Sequence, residues 1–64
     1  MGYIVKLLDS GKYFIPGEDD IDTTENRNEA IRIGQFEDYD QAKETAETWS
    51  GQMVLNIDYA IEAV

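Results

Sequence analysis

Residues 2–15, GYIVKLLDSGKYFI, decide the fold because they place two strand-like segments on either side of a short turn. β-Branched and aromatic side chains, which favour strands, are frequent in residues 2–8 and 12–15. Gly11 ends the intervening three-residue loop, where a bulged hairpin needs a residue with positive φ. The stretch therefore predicts an antiparallel hairpin in which Leu8 pairs with Lys12.

This pairing sorts the hairpin side chains onto two faces, since alternate residues of a strand point to opposite sides of a sheet. One face is apolar apart from tyrosine hydroxyls and is expected to form the core: Tyr3, Val5, Leu7, Tyr13 and Ile15. The other mixes two lysines with three large apolar side chains: Ile4, Lys6, Leu8, Lys12 and Phe14. We therefore expect Ile4, Leu8 and Phe14 to form an apolar patch that is either a partner interface or covered by a later segment.

The clearest element of the second half is a helix. Asp38 is predicted as its N-cap, with Gln41 three residues later in a capping-box pattern, and Gly51 follows its last turn. Apolar residues recur at i, i+3, i+7 and i+10, which makes one stripe that can pack on a sheet: Tyr39, Ala42, Ala46 and Trp49.

The remaining segments complete a small α+β domain spanning residues 1–64. Pro16 and Gly17 end the second strand, and residues 18–28 are expected to be a long polar loop. Alternation predicts a third strand at residues 30–34 and a fourth at 52–58, with an extension through residue 63 left open. The predicted architecture is ββ(β)αβ, an antiparallel sheet of three or four strands with one helix on a face.

The composition limits the chemistry that this chain can perform. Its 64 residues contain 14 acidic and 5 basic side chains, a net charge of −9, with no histidine and no cysteine. Thiol chemistry is excluded, and we expect no catalytic site, metal or cofactor. Direct contact with nucleic acid or a membrane is not expected, because both attract cationic proteins. Since a core this small contributes only about 3–5 kcal/mol, a homodimer or higher homo-oligomer is expected.

The acidic residues concentrate in residues 18–22 and 37–47. On the predicted helix, acids at i, i+4 and i+7 form a row that can imitate the phosphate backbone of DNA. The residues predicted to contact a cationic partner are Asp19, Asp20, Asp22, Asp40, Glu44 and Glu47. The alternative for both groups is an ordinary solvated surface.

A calcium site in the acidic loop is not predicted. Asp20 and Asp22 occupy the first and third positions of an EF-hand loop. Glu25 and Ile31 stand where that motif requires glycine and glutamate.

Several short matches are spread along the chain: Tyr3-Ile4-Val5, Gly11-Lys12-Tyr13, Asn28-Glu29-Ala30, Phe36, Tyr39, Ala42, Ala46, Gly51 and Met53-Val54. In these positions the chain resembles a loose group of small acidic hypothetical proteins encoded by phages and prophages of Gram-positive bacteria. The matching residues are structural, so the resemblance implies a fold and a genetic setting but assigns no site residue. It also implies a location in the host cytoplasm, where such proteins bind and block host machinery, including restriction and CRISPR effectors.

Three functions remain open at this point. The leading hypothesis is a non-enzymatic inhibitor that blocks a host protein with a basic surface through an acidic, partly DNA-mimicking surface. The second is a self-associating accessory module whose acidity only keeps it soluble. The third is an oligomeric sponge in which Arg27 or Arg32 binds a small anionic ligand.

Overall fold

The computed structural model describes residues 2–51 and 53–64, which contain four strands and two helices. In chain order they are β1 (Tyr3–Leu7), β2 (Tyr13–Pro16), β3 (Ile21–Thr24), α1 (Arg27–Ile33), α2 (Tyr39–Ser50) and β4 (Tyr59–Ala63). The strands form one antiparallel sheet in the order β3-β2-β1-β4. With α2 as the main helix on this sheet, the predicted small α+β fold is confirmed.

The β1–β2 hairpin forms, but its register differs by one residue from the prediction. Lys6, rather than Leu7, pairs with Tyr13. The Leu7 carbonyl accepts a hydrogen bond from the Gly11 N–H at 2.8 Å, and the Leu7 N–H donates to the Lys12 carbonyl at 2.7 Å. Gly11, at a φ of 73°, and Lys12 thus both oppose Leu7, so the bulge expected at Gly11 is present but lies opposite Leu7, and Leu8 is not paired with Lys12.

The shifted register moves three consecutive residues of β2 to the opposite faces of the sheet, as any one-residue slip must. Phe14 lies with Val5 and Leu7 in the core under α2. Tyr13 packs with Ile4 on the other face. The prediction therefore assigned the β2 residues to the wrong faces of the sheet.

α2 follows the prediction at both ends. The Asp38 side chain accepts a hydrogen bond from the Asp40 N–H at 3.1 Å, and Gly51 adopts the left-handed conformation with a φ of 82°. Ala42 and Ala46 are fully buried in the core under this helix. Because alanine is small, the helix axis lies close to β1 and β4.

α1 occupies residues for which the sequence predicted a strand. The Asn26 side chain caps the helix by accepting hydrogen bonds from the backbone N–H groups of Asn28 and Glu29. Ala30 is fully buried against Ile4 and Tyr13. A helix therefore lies on each face of the sheet, and of the two alternatives left open for the face that contains Ile4, cover by a later segment of the chain is the one observed.

The predicted fourth strand begins later than expected. Residues 54–58 form a turn in which Asn56 has a φ of 67°, and β4 starts at Tyr59. The Asp58 carboxylate accepts a hydrogen bond from the Val54 N–H at 2.8 Å, which closes this turn. The part of the prediction that concerns Gln52 lies outside the described residues.

Candidate functional site

The acidic residues that follow β2 lie on a tight turn rather than a long loop. The Gly17 N–H donates to the Asp20 carbonyl at 2.7 Å, which leaves Glu18 and Asp19 exposed at the tip. The Asp20 carboxylate accepts from the Ile21 N–H at 2.8 Å, where β3 begins. The turn is therefore an ordered structure that holds two carboxylates toward solvent.

The linker between α1 and α2 brings further carboxylates to the same end of the sheet. Phe36 exchanges two backbone hydrogen bonds with Tyr3, at 2.8 and 2.7 Å. Tyr3 begins β1, so it lies at the end where the antiparallel β2 finishes. Glu37 and Asp38 follow directly and are exposed. We call this surface the acidic end, defined by Glu18, Asp19, Asp20, Glu37 and Asp38.

An apolar cleft of about 130 Å³ lies between the two parts of the acidic end. It is formed by the end of β2, the start of β3 and the chain that leaves α1. Gly34, buried at its base, is so close to β2 that a Cβ there would lie 2.3 Å from the Phe14 carbonyl oxygen. The apolar side chains that line it are Phe14, Ile15, Pro16, Ile21, Ile33 and Phe36.

The predicted acidic row on α2 is only partly available to a partner. Asp40 and Glu44 are exposed. Glu47 instead accepts a hydrogen bond from the buried Tyr59 hydroxyl at 2.9 Å and lies 3.0 Å from the Lys43 ammonium. The hydrogen bond from Lys43, followed by that from Tyr59, lowers the pKa of the Glu47 carboxyl. Glu47 therefore fastens α2 to β4 rather than extending the row.

The structure does not bring the six predicted acidic residues together as one surface. Asp19 and Asp20 lie at the acidic end, and Asp40 extends it onto the first turn of α2. Asp22 lies on the edge strand β3, where its carboxylate accepts from the Thr23 N–H at 2.8 Å. From the sequence, Glu37 and Asp38 extend the acidic row at its start, but they were not among the residues predicted to contact a partner.

Tyr59 supports a prediction about alkaline pH. Burial, together with the hydrogen bond to Glu47, raises the Tyr59 pKa to about 12. A raised pKa means that the folded state favours the protonated hydroxyl, so this contribution is complete below pH 10 and is lost as pH rises to about 12. We expect Tyr59→Phe to be less stable than wild type by about 1 kcal/mol at pH 7.

That difference should shrink or reverse near pH 12, which urea unfolding followed by circular dichroism at several pH values would measure. Comparison with Tyr59→Phe cancels the lysine titrations that both proteins share. A stability difference that stays constant across this pH range would contradict the role given to the Tyr59 hydroxyl.

Three of the five basic side chains are held in ion pairs within the chain. Arg27 donates from Nε and Nη2 to Glu62 at 3.0 and 2.8 Å, which connects α1 to β4. Its pKa is raised, chiefly by this hydrogen bond to the carboxylate. Arg32 lies 3.8 Å from Glu29 on the same helix. The two arginines considered for an anionic ligand thus each have a carboxylate partner.

The predicted apolar interface does not exist as one patch. Ile4 and Phe14 are 0% and 1% exposed and lie on opposite faces, because the bulge shifts β2 and α1 covers Ile4. Only Leu8 of the three is exposed, at 41%. Its N–H donates to the Asp58 carbonyl at 3.0 Å, beside the turn in which Ile57 is 71% exposed. The same two alternatives, partner interface or cover by the chain, were open for Ile57 from the sequence, although a strand rather than a turn was predicted there.

Among residues 2–51 and 53–64, no group of acidic side chains is arranged to hold a metal ion. Neither helix of this part of the chain has the length and apolar character needed to cross a membrane. No protein-family model, curated protein or solved structure matches this chain.

Proposed function

We propose that this chain is a non-enzymatic, phage-type binding protein that blocks a host protein by covering a cationic surface on it. The acidic end makes the contact, and Asp40 and Glu44 extend it along α2. The favoured targets are nucleic-acid-handling or defence proteins, such as restriction or CRISPR effectors, since their cationic grooves bind a chain of phosphates. The inhibitor occupies such a groove in place of nucleic acid.

The observation that carries this proposal is where the unbalanced charge lies. Lys43, Arg27 and Arg32 lie within ion-pair distance of Glu47, Glu62 and Glu29, none of which belongs to the acidic end. Within the described ranges, none of the carboxylates of the acidic end has a cation within ion-pair distance. Like charges held together by a turn and a helix start repel one another, and a cationic partner relieves that repulsion.

The shape of the domain also favours binding over catalysis. The residues of the acidic end are exposed on a turn and a helix start, whereas general acid–base catalysis needs groups that converge on a bound substrate. The cleft of about 130 Å³ is smaller than the roughly 300–1,000 Å³ of typical small-molecule sites, and a larger open groove of about 370 Å³, beside Leu7, Trp49 and Met53, lies apart from the acidic end. A protein surface is the ligand class that an exposed, charged end of this kind accommodates.

Two double variants of equal charge test this proposal. Asp19→Asn with Glu37→Gln neutralises two carboxylates of the acidic end, and Asp9→Asn with Glu25→Gln neutralises two at the opposite end of the sheet. We expect capture of a host protein from a lysate of a Gram-positive bacterium to fall for the first variant and to persist for the second. Raising the salt from about 50 to about 200 mM should weaken capture by wild type. Equal capture by both variants, or capture indifferent to salt, would contradict the proposal.

Self-association is a second candidate, favoured by the exposed apolar side chains of Leu8, Val54 and Ile57. These lie around the β1–β2 turn and residues 54–58, at the end of the sheet opposite the acidic end. If self-association were the whole function, no lysate protein would be captured and neutralising the acidic end would have no effect. Light scattering on wild type at several concentrations measures the association directly.

A further inference from the structure

The size of the cleft limits what it can hold. An apolar cavity of about 150 Å³ in another protein accommodates benzene, so a volume of about 130 Å³ has room for one aliphatic side chain. Ile33, 41% exposed, lies at the rim, while the almost fully buried Phe14 lies at the base. The cleft therefore matches a single inserted side chain rather than a cofactor or a nucleotide base.

The charge around the cleft is acidic on both sides. Glu18 and Asp19 lie on the turn that joins the two strands lining the cleft, and Glu37 follows directly after Phe36. One basic residue, Arg32, directly precedes Ile33 of the cleft. Its guanidinium lies 3.8 Å from the Glu29 carboxylate. A side chain that enters the cleft is thus flanked by carboxylates, which favour a segment with positive charge beside its apolar residue.

We infer that the cleft binds one aliphatic side chain of a partner segment in which lysine or arginine flanks that residue. This inference rests on the proposed function and adds to it the chemistry of the partner. Charge complementarity selects this occupant. A second copy of the chain would bring an identical acidic surface against the first, and nucleic acid would bring phosphates. The apolar insertion supplies affinity that a purely electrostatic contact lacks, because electrostatic complementarity contributes more to encounter rate and specificity than to affinity.

The test uses a fluorescein-labelled peptide with one leucine flanked on each side by lysines, and a matched peptide with glycine in place of leucine. Fluorescence anisotropy measures both affinities for wild-type protein at low salt. We expect the leucine peptide to bind about tenfold more tightly or better, since burial of one leucine side chain is worth at least that factor.

Two isoleucine variants test whether the higher affinity of the leucine peptide comes from binding in the cleft. Ile33→Ser alters the rim of the cleft and should bring the leucine-to-glycine affinity ratio toward one. Ile57→Ser removes a more exposed isoleucine far from the cleft and should leave the ratio unchanged. Circular dichroism establishes that both variants are folded. If Ile33→Ser did not fold, the leucine-to-glycine affinity ratio of wild type would still test the inference, because a ratio near one contradicts it.

The possible results separate this inference from the function on which it rests. Equal, salt-sensitive binding of the two peptides to wild type would overturn the cleft assignment and leave the acidic end as a contact surface. A ratio that Ile57→Ser reduces as much as Ile33→Ser would also overturn it. No binding of either peptide at low salt would contradict the proposed function itself.

Discussion

Replacement of Phe14 by alanine is expected to unfold most of the protein. Phe14 is 1% exposed and its ring lies 5.1 Å from that of Trp49 in an edge-to-face arrangement. Loss of a buried phenylalanine typically costs about 3–5 kcal/mol through lost burial and the cavity left behind. Since a core of this size supplies only about 3–5 kcal/mol, one such loss is as large as the whole free energy of unfolding of the domain.

Leu8→Ala is the matched control for this prediction. The simplest hairpin register places Leu8 and Phe14 in one patch, but Leu8 is 41% exposed. An exposed substitution of this kind is expected to change the free energy of unfolding by about 0.5 kcal/mol or less. Thermal and urea unfolding followed by circular dichroism measure both variants. Similar losses for the two would contradict the observed register and favour a surface position for Phe14.

Gly34→Ala is expected to produce the second large loss of stability. A Cβ at this position would lie 2.3 Å from the Phe14 carbonyl oxygen and 3.0 Å from that of Ala30. Both atoms belong to the backbone, so relief requires α1 to move away from β2. Overpacking of this kind costs about 1–3 kcal/mol, and we expect the upper part of that range because no side chain can rotate away.

Gly11→Ala provides the comparison because it separates crowding from backbone conformation. A Cβ at Gly11 would meet nothing within 4 Å, but the φ of 73° is unfavourable for alanine. Its expected cost is about 1–2 kcal/mol, the usual penalty of the left-handed conformation. Urea unfolding of both variants gives the two costs. If Gly34→Ala were no more destabilising than Gly11→Ala, the close approach of α1 to β2 would be wrong.

The parts of the fold that sequence reasoning predicted are those with strong local signals. Asp38 and Gly51 mark the ends of α2 through backbone capping, which depends only on neighbouring residues. The β1–β2 hairpin was predicted because Gly11 interrupts two apolar segments. Its register was not, because a glycine at the turn does not by itself show which β1 residue lies opposite the bulge, and an error of one residue there shifts every pair of β2.

α1 and β3 were missed for a different reason. The alternating apolar residues 30–33 suit a strand, and the short helix is selected by the cap at Asn26 together with burial of Ala30. Asn26 followed by Glu29 is a capping-box pattern that could have identified this helix. The dense charge of residues 18–22 suggested a loop, so β3, which begins at Ile21, was not predicted.

The candidate site was only partly predictable. Acidic residues at positions 18–22 and 37–47 were predicted to be a binding surface, because charge can be counted without a structure. The cleft could not be predicted, since its walls come from β2, β3 and the linker after α1. Its geometry depends on the register of the hairpin and on α1 being a helix, neither of which was predicted from the sequence.

Whether the acidic end or the net charge alone makes the contact is decided by one measurement. The affinity of the lysine-flanked leucine peptide is determined by anisotropy for the two double variants, from about 50 to about 200 mM salt. We predict that Asp19→Asn with Glu37→Gln weakens binding and flattens its salt dependence, whereas Asp9→Asn with Glu25→Gln leaves both near those of wild type. Identical affinities and salt dependences for the two variants would contradict a localised site.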